Sequence, residues 1–283
     1  MRCSPVSSRI RVDERDQRTA SAATRLNQAS GAIAASVLFD SAIEHYRGSF
    51  HNKAMVAPLA ASAACLLAGA HGGADRRRRA HPLRDGAFAT AAVVGLIGTG
   101  FHLFNIGKRP GGFSLENLFY AAPIGAPGAL VLSGALGFLA ERLRDARGEA
   151  GQSRIGLLAA ATAVVGLLGA AGEAGLLHLR GAFQDPFMLV PVTVAPAGGA
   201  VLAAAAARPS RERGRLARWW LWLTGGIGVA GTGFHVYGVH RHMGGWRNWR
   251  QTVLAGPPVP APSSFTGLAL AGLAALDLLE PDE

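Results

Sequence analysis

The sequence predicts an all-α integral membrane protein of about eight transmembrane helices, built as two parallel-related four-helix halves by tandem duplication. Three observations predict it. Of 283 residues, 49% are hydrophobic and 16% charged, with 38 glycines and a mean hydropathy of +0.23, a composition too poor in charge for an ordinary soluble chain. The sequence also repeats itself at an offset of 133 residues. His45-Tyr46-Arg47-Gly48-Ser49-Phe50, with Met55 and Pro58, returns as His178-Leu179-Arg180-Gly181-Ala182-Phe183, with Met188 and Pro191. Gly-Thr-Gly-Phe-His at Gly98 to His102 returns at Gly231 to His235. Third, long Ala/Gly/Leu/Val runs alternate with arginine-rich gaps.

Residues 1–27 mix six arginines with Asp13, Glu14 and Asp16. They lack the apolar core of a secretory signal, and a disordered cytoplasmic tail is expected. The first half is expected over 28–140, with spans near 28–47, 54–71, 87–102 and 117–140. The first of these is interrupted by Asp40 and Glu44. An arginine-rich stretch, 141–154, reads as a cytoplasmic linker. The second half, 155–283, holds spans near 155–178, 189–207, 221–235 and 264–279, and the first of them carries only Glu173 as an interior charge. These lengths cross, or nearly cross, a hydrocarbon core of about 30 Å. Four crossings return the chain to the side it started from, so the second half has the same orientation as the first.

The net charge of +10 does not imply nucleic acid, because the cations fall between apolar runs. Twenty of the 28 Lys and Arg lie in 1–30, 75–85, 141–155 and 208–218, and the other eight in the alternate loops. The positive-inside rule then predicts a bacterial inner (plasma) membrane protein with both termini cytoplasmic and the histidine motifs outside. Arg76 to Arg79 read as a topology signal touching anionic lipid. Trp219, Trp220, Trp222, Trp246 and Trp249 read as interfacial anchors. Cys3 and Cys65 lie at different levels and form no disulfide framework.

Candidate chemistry concentrates at the outer ends. His45, His102, His178 and His235 close the odd-numbered spans at matched heights, and imidazole there suits haem iron, a metal, a quinone carbonyl or a proton relay. The competing reading of His45-x-Arg47-Gly48 and His178-x-Arg180-Gly181 is a helix stop, with cations at the negative helix end and glycine in the left-handed position. Asp40 and Glu173 each precede a motif histidine by five residues. That is about 500° of helix, so acid and imidazole face different neighbours. An acid within a span is a functional candidate, the alternative being a carboxylate satisfied by a neighbouring helix. Pro123 and Pro127 in the first half, and Pro257, Pro258, Pro260 and Pro262 in the second, break the fourth spans at corresponding places. Such breaks point to a cavity or to a plain helix start. The stretch from Val236 to Gln251 is expected as the longest outer loop. Within it, His240, His242 and Trp246 could meet a metal, an acidic headgroup or a partner subunit.

The sequence contains no Walker A, HExxH, CxxC or CxxCH pattern and no Ser-His-Asp signal. The expectation is a membrane anchor or electron-transfer subunit of a redox complex, with a quinone, and b-type haem as an option, near the periplasmic face. It would lie in the bilayer beside a periplasmic-side redox partner. The alternatives are an ion or small-solute transporter or metal-handling permease, disfavoured by the near absence of polar residues below Asp40 and Glu173, and a non-catalytic scaffold or assembly factor.

Overall fold

Prolines and glycines at the segment boundaries divide the chain into ten α-helices among the described residues, with no strand. The computed structural model describes residues 5–75, 77 and 79–280, with side chains from residue 16 onward. The helices are α1 (Pro5–Arg47), α2 (Ala57–Ala74), α3 (Pro82–Gly107), α4 (Leu115–Tyr120), α5 (Gly125–Asp145), α6 (Gly148–Arg180), α7 (Val190–Ala207), α8 (Arg211–Arg241), α9 (Trp249–Ala255) and α10 (Ser263–Leu279). Five segments are long and apolar enough to cross a membrane: Lys53–Ala74, Pro82–Gly107, Gly125–Asp145, Gly148–Arg180 and Pro186–Ala207. α10 is apolar but only 17 residues long, about 26 Å at the helical rise.

Packing sorts these helices into a centre and two flanks. α1, α5, α6 and α10 form the central group, with α1 against α5 and α10, and α6 against α5 and α10. α2 and α3 flank one side, and α7 and α8 the other. Only 17% of the apolar window of α3 and 22% of that of Pro186–Ala207 is buried, so these helices turn most of their apolar surface outward, as a helix long and apolar enough to cross a membrane can. α10 instead buries residues on every side, from Phe265 to Leu276.

Element boundaries recur along the chain at the offset of the sequence motifs. α1 ends at Arg47 and α6 at Arg180; 3-10 turns follow at Lys53–Val56 and Pro186–Leu189; α2 and α7 then match residue for residue at the 133-residue offset. Close approach of the third and fourth long helices recurs as well. A Cβ at Gly95 would lie 2.8 Å from the Pro127 carbonyl oxygen, and one at Gly228 would lie 2.8 Å from that of Pro262. Small residues let helix backbones meet, and this contact replaces the hydrophobic drive that lipid removes. Gly95→Val is expected to cost about 1–3 kcal/mol by overpacking. Gly100→Val, at a position with nothing within 4 Å of its Cβ, should be close to neutral. Equal melting temperatures for the two variants in detergent would show that α3 and α5 do not meet this way.

Several expected boundaries are corrected. The tail expected over 1–27 is helical from Pro5, and its first four residues lie outside the described residues, as do Arg76 and Arg78 of the expected topology signal. Ala22, Ala23, Leu26 and Asn27 are buried and Arg25 pairs with Asp277, so the apolar stripe of α1 starts earlier than its charge content suggested. The linker expected over 141–154 shrinks to Ala146 and Arg147 between α5 and α6, because Glu141 and Leu143 are fully buried rather than solvated. The outer loop expected over 236–251 is helical to Arg241, with Val239 fully buried, and resumes in a 3-10 turn at Gly245–Asn248 before α9.

Buried polar groups also lie in the interior below Asp40 and Glu173, where almost none were expected, and charged pairs close the end of the bundle opposite the histidines. Between α1, α2 and α5, Ser30 Oγ donates to the Ser133 carbonyl and Ser133 Oγ to that of Ser30, both at 2.8 Å, with the free Cys65 thiol 3.1 Å from Ser133 Oγ. Arg84, 2% exposed, bonds Asp75 at 2.7 Å and the fully buried Glu141 at 2.9 Å. At the matching corner of the second half, Arg218 bonds Asp277 at 2.6 Å and Glu280 at 2.9 Å. We call this the arginine end and the opposite one the histidine end.

Candidate functional site

The duplicated motif resolves into a knot that uses each of its residues. The last turn of α1 closes with Phe50 N–H donating to the His45 carbonyl at 3.0 Å, and the last turn of α6 with Phe183 N–H donating to that of His178, also at 3.0 Å. Phe50 and Phe183 sit edge-on to the two imidazoles, centroids 6.1 and 6.0 Å apart. The left-handed residues are Ser49, Phe50, Ala182 and Phe183, not the glycines, which corrects the expected cap. Glycine instead lets the methionine of the same motif pack close. A Cβ at Gly48 would lie 3.2 Å from Met55 Cε, and one at Gly181 3.0 Å from Met188 Cε.

Proline gives two of the histidines their task. His45 Nδ1 meets the Met55 carbonyl and His178 Nδ1 that of Met188, both at 2.7 Å. In the 3-10 turns these carbonyls would draw donors from three residues on, which are Pro58 and Pro191 and have no N–H. His102 Nδ1 meets the Pro123 carbonyl at 2.6 Å, in the non-helical break just before α5. His235 Nδ1 meets the Pro258 carbonyl at 2.7 Å, in the break before α10, where Ala261 N–H also donates to it at 3.2 Å. A carbonyl only accepts, so in each imidazole Nδ1 carries a proton, and in the neutral form of the ring the lone pair is on Nε2. Nε2 of these four has no hydrogen-bond partner among the described residues. His45 and His102 lie within electrostatic reach of each other, as do His178 and His235.

The carboxylates come from the two central helices that end in these knots. Asp40 and Glu173 are half-buried and within electrostatic reach of each other. The Glu173 carboxylate lies against the backbone of Gly125, the first residue of α5. Glu44, one turn beyond Asp40, holds Arg47 in an exposed pair at 2.5 Å. Arg180 instead stacks its guanidinium 5.4 Å from the Phe119 ring centroid and reaches the Ala121 carbonyl at 3.5 Å.

The remaining candidates divide between packing and exposure. Pro127 is buried, and Pro257 packs on α8, 3.1 Å from where a Cβ of Gly238 would stand. The Pro260 carbonyl accepts from Ser36 Oγ and Ser263 Oγ, both at 2.7 Å, tying the second proline break to α1. His240, His242 and Trp246 are exposed, and the His240 ring lies 6.5 Å from Tyr237. Among the described residues no three His, Cys, Asp or Glu side chains gather in a way that could hold a metal ion, so the metal-centre expectation for His240 and His242 has no cluster behind it.

What the sequence reading missed is the paired Arg–carboxylate contact at the arginine end. Its signal was present: each fourth long helix ends with an acid, Glu141 or Asp277, and each third one begins near an arginine, Arg84 or Arg218. Counting those arginines only as topology signals hid the pairing. No protein-family model, curated protein or solved structure matches the chain.

Proposed function

We propose that this chain is a tandem duplication of a four-span unit, with α1, α8 and α10 crossing the inner membrane beside the five apolar spans. In this reading it serves as the membrane anchor and electron-transfer subunit of a redox complex, and it binds a quinol at its histidine end on the periplasmic side. The recurrence of helices, turns, histidine bonds and Gly–Pro contacts at one offset supports the duplication. One observation carries the functional reading: four imidazoles with Nδ1 committed to backbone carbonyls, each keeping a lone pair on Nε2, at the same end as Asp40 and Glu173. An acceptor of this kind takes a hydrogen bond from a quinol hydroxyl. Oxidation of the quinol to quinone releases two protons and two electrons. The protons pass to Nε2 and onward to the two carboxylates, and the electrons to a one-electron acceptor in the partner subunit. The same lone pair also suits an axial haem ligand, whose other ring nitrogen commonly donates to a carbonyl.

Protein purified from native membranes in mild detergent is expected to carry extractable quinone and to bind an added short-chain quinol. Asp40→Asn with Glu173→Gln should keep that binding and lose quinol oxidation by the native complex, without a change in melting temperature. A preparation free of quinone that also fails to bind the added quinol would sink the reading, and a Soret band would decide the haem option.

Two observations favour other readings. A scaffold role draws on the histidine bonds themselves, since serving proline-orphaned carbonyls is a sufficient structural task. A transporter role draws on the buried polar groups Asn27, Ser30 and Ser133 on the arginine-end side. Against it, the two serines are saturated by each other's carbonyls and Glu141 is neutralised by Arg84.

A further inference from the structure

The two shortest helices, α4 and α9, both lie at the histidine end, and each touches the first helix of the opposite half. α9, from the second half, reaches α1: Arg250 Nη2 donates to Tyr46 Oη at 2.7 Å, with the guanidinium 5.9 Å from the ring centroid. α4, from the first half, reaches α6 through Phe119, over which Arg180 stacks, and through the Ala121 carbonyl. The proline breaks that follow are crossed in the same sense. The break after α4 ends at Gly125 against Glu173, and the break after α9 presents the Pro260 carbonyl to Ser36, one turn from Asp40.

Both short helices are also hinged alike. Each is preceded by two left-handed glycines, Gly111 and Gly112 (φ 89° and 58°) before α4, and Gly244 and Gly245 (φ 85° and 48°) before α9. Only glycine holds such backbone without strain. Each is followed by non-helical backbone, 121–124 and 256–262. Their holds on the opposite half are few, exposed at Tyr46 and part-buried at Ala121. Tyr46 stands about 9 Å beyond Asp40 and about 120° around α1 from it, so it is Ser36, one turn before Asp40 on the same face, that brings the segment after α9 to Asp40. A shallow, open surface groove runs along α9, lined by Asn248, Arg250, Gln251, Leu254 and Ala255. One cation and two amides against an apolar wall suit an amphipathic molecule with a polar, carbonyl-bearing head.

We propose that α4 and α9 are crossed lids: the lid of each half roofs the carboxylate of the other, so Asp40 is reached under α9 and Glu173 under α4. The identity of the entering molecule, a quinol, rests on the functional reading above; the crossing of the lids does not. A seam built this way requires both halves for either entrance.

A hydrophobic carbodiimide, which couples to protonated carboxyl groups from the lipid or the interface, reads the two entrances separately when peptides containing Asp40 and Glu173 are followed by mass spectrometry. Tyr46→Phe removes only the hydroxyl that holds α9 and keeps the net charge. It should raise labelling of Asp40 about five-fold, the effect of one lost hydrogen bond on an opening equilibrium, and leave Glu173 within about two-fold. Phe119→Ala should do the reverse. Labelling that rises at the acid of the lid's own half, rises equally at both, or changes at neither overturns the crossed lids, provided melting temperatures match the parent protein. Protection by a short-chain quinone is a separate arm. Crossed labelling without protection would keep the lids and remove quinol as their occupant.

Discussion

Arg84→Ala is expected to cost about 3 kcal/mol or more, enough to lower the yield of folded protein sharply. Removing one partner of a buried ion pair typically costs 3–5 kcal/mol, because the remaining charge stays in the interior without its counter-ion. Glu141 is fully buried, and without Arg84 it keeps only the His81 N–H at 2.8 Å and the Arg144 guanidinium at 3.3 Å, which places the cost toward the lower end. Arg84→Met combined with Glu141→Leu removes both charges and should recover most of the loss. The second-half pair behaves differently. Arg218 is 28% exposed and Asp277 16%, so solvent screens the interaction and Arg218→Ala should cost about 1 kcal/mol or less. Thermal unfolding in detergent, followed by size-exclusion fluorescence, tests the series. An Arg84→Ala protein within about 0.5 kcal/mol of the parent would remove the buried pair from the account, since that is the range of an ordinary surface substitution.

The same cluster sets an acid limit. The Arg77 amide and then the Arg84 guanidinium hold the Asp75 carboxyl at about 2, below its usual 3.8. A carboxyl whose folded value is depressed stabilises the fold above its unfolded value and loses that contribution as pH falls toward the folded one. Asp75 therefore contributes at neutral pH, and its contribution drains between about 4 and 2. Part of that slope should disappear in Arg84→Ala.

His102→Phe combined with Pro127→Ala separates structure from chemistry at the histidine end. The phenylalanine alone leaves the Pro123 carbonyl without its imidazole donor, an expected loss of about 1–3 kcal/mol. Alanine at 127 returns a backbone N–H in the first turn of α5, which serves the Pro123 carbonyl once the helix extends back by one residue. The double variant should recover most of the loss, with a coupling of at least about 1 kcal/mol in the double-mutant cycle. It still lacks Nε2, so it should be stable and bind no quinol. Additive losses would show that the proline is not what makes His102 necessary. Stability together with retained quinol binding would leave His102 as scaffold only.

How much of this could be read in advance differs from residue to residue. The pairing of His102 with His235 and of Asp40 with Glu173 was legible, because a repeat preserves register in one dimension. The role of Gly48 was misread, because a glycine after His-x-Arg fits a left-handed cap, and only packing shows that it makes room for the Met55 methyl group. Pro127 was legible as a break, but the bond of His102 to the Pro123 carbonyl beside it was not. That link depends on α3 and the start of α5 lying side by side. The arginine end was read as loops and topology because Arg84, Glu141 and Arg144 carry charge, yet charge does not report burial once partners from separate helices neutralise each other.

By itself, then, the sequence determined the helical class, five of the apolar spans and the recurrence of the histidine motifs at one offset. These follow from composition and from spacing along one helix, where hydrophobicity and the missing N–H of proline act locally. Only the tertiary structure decided which carbonyl each imidazole serves, which arginine neutralises Glu141, and that α4 and α9 reach across to the opposite half. Those contacts join residues from 10 to 204 positions apart, and their formation depends on how close two helix backbones come, a distance set by the glycines and side chains of both partners together.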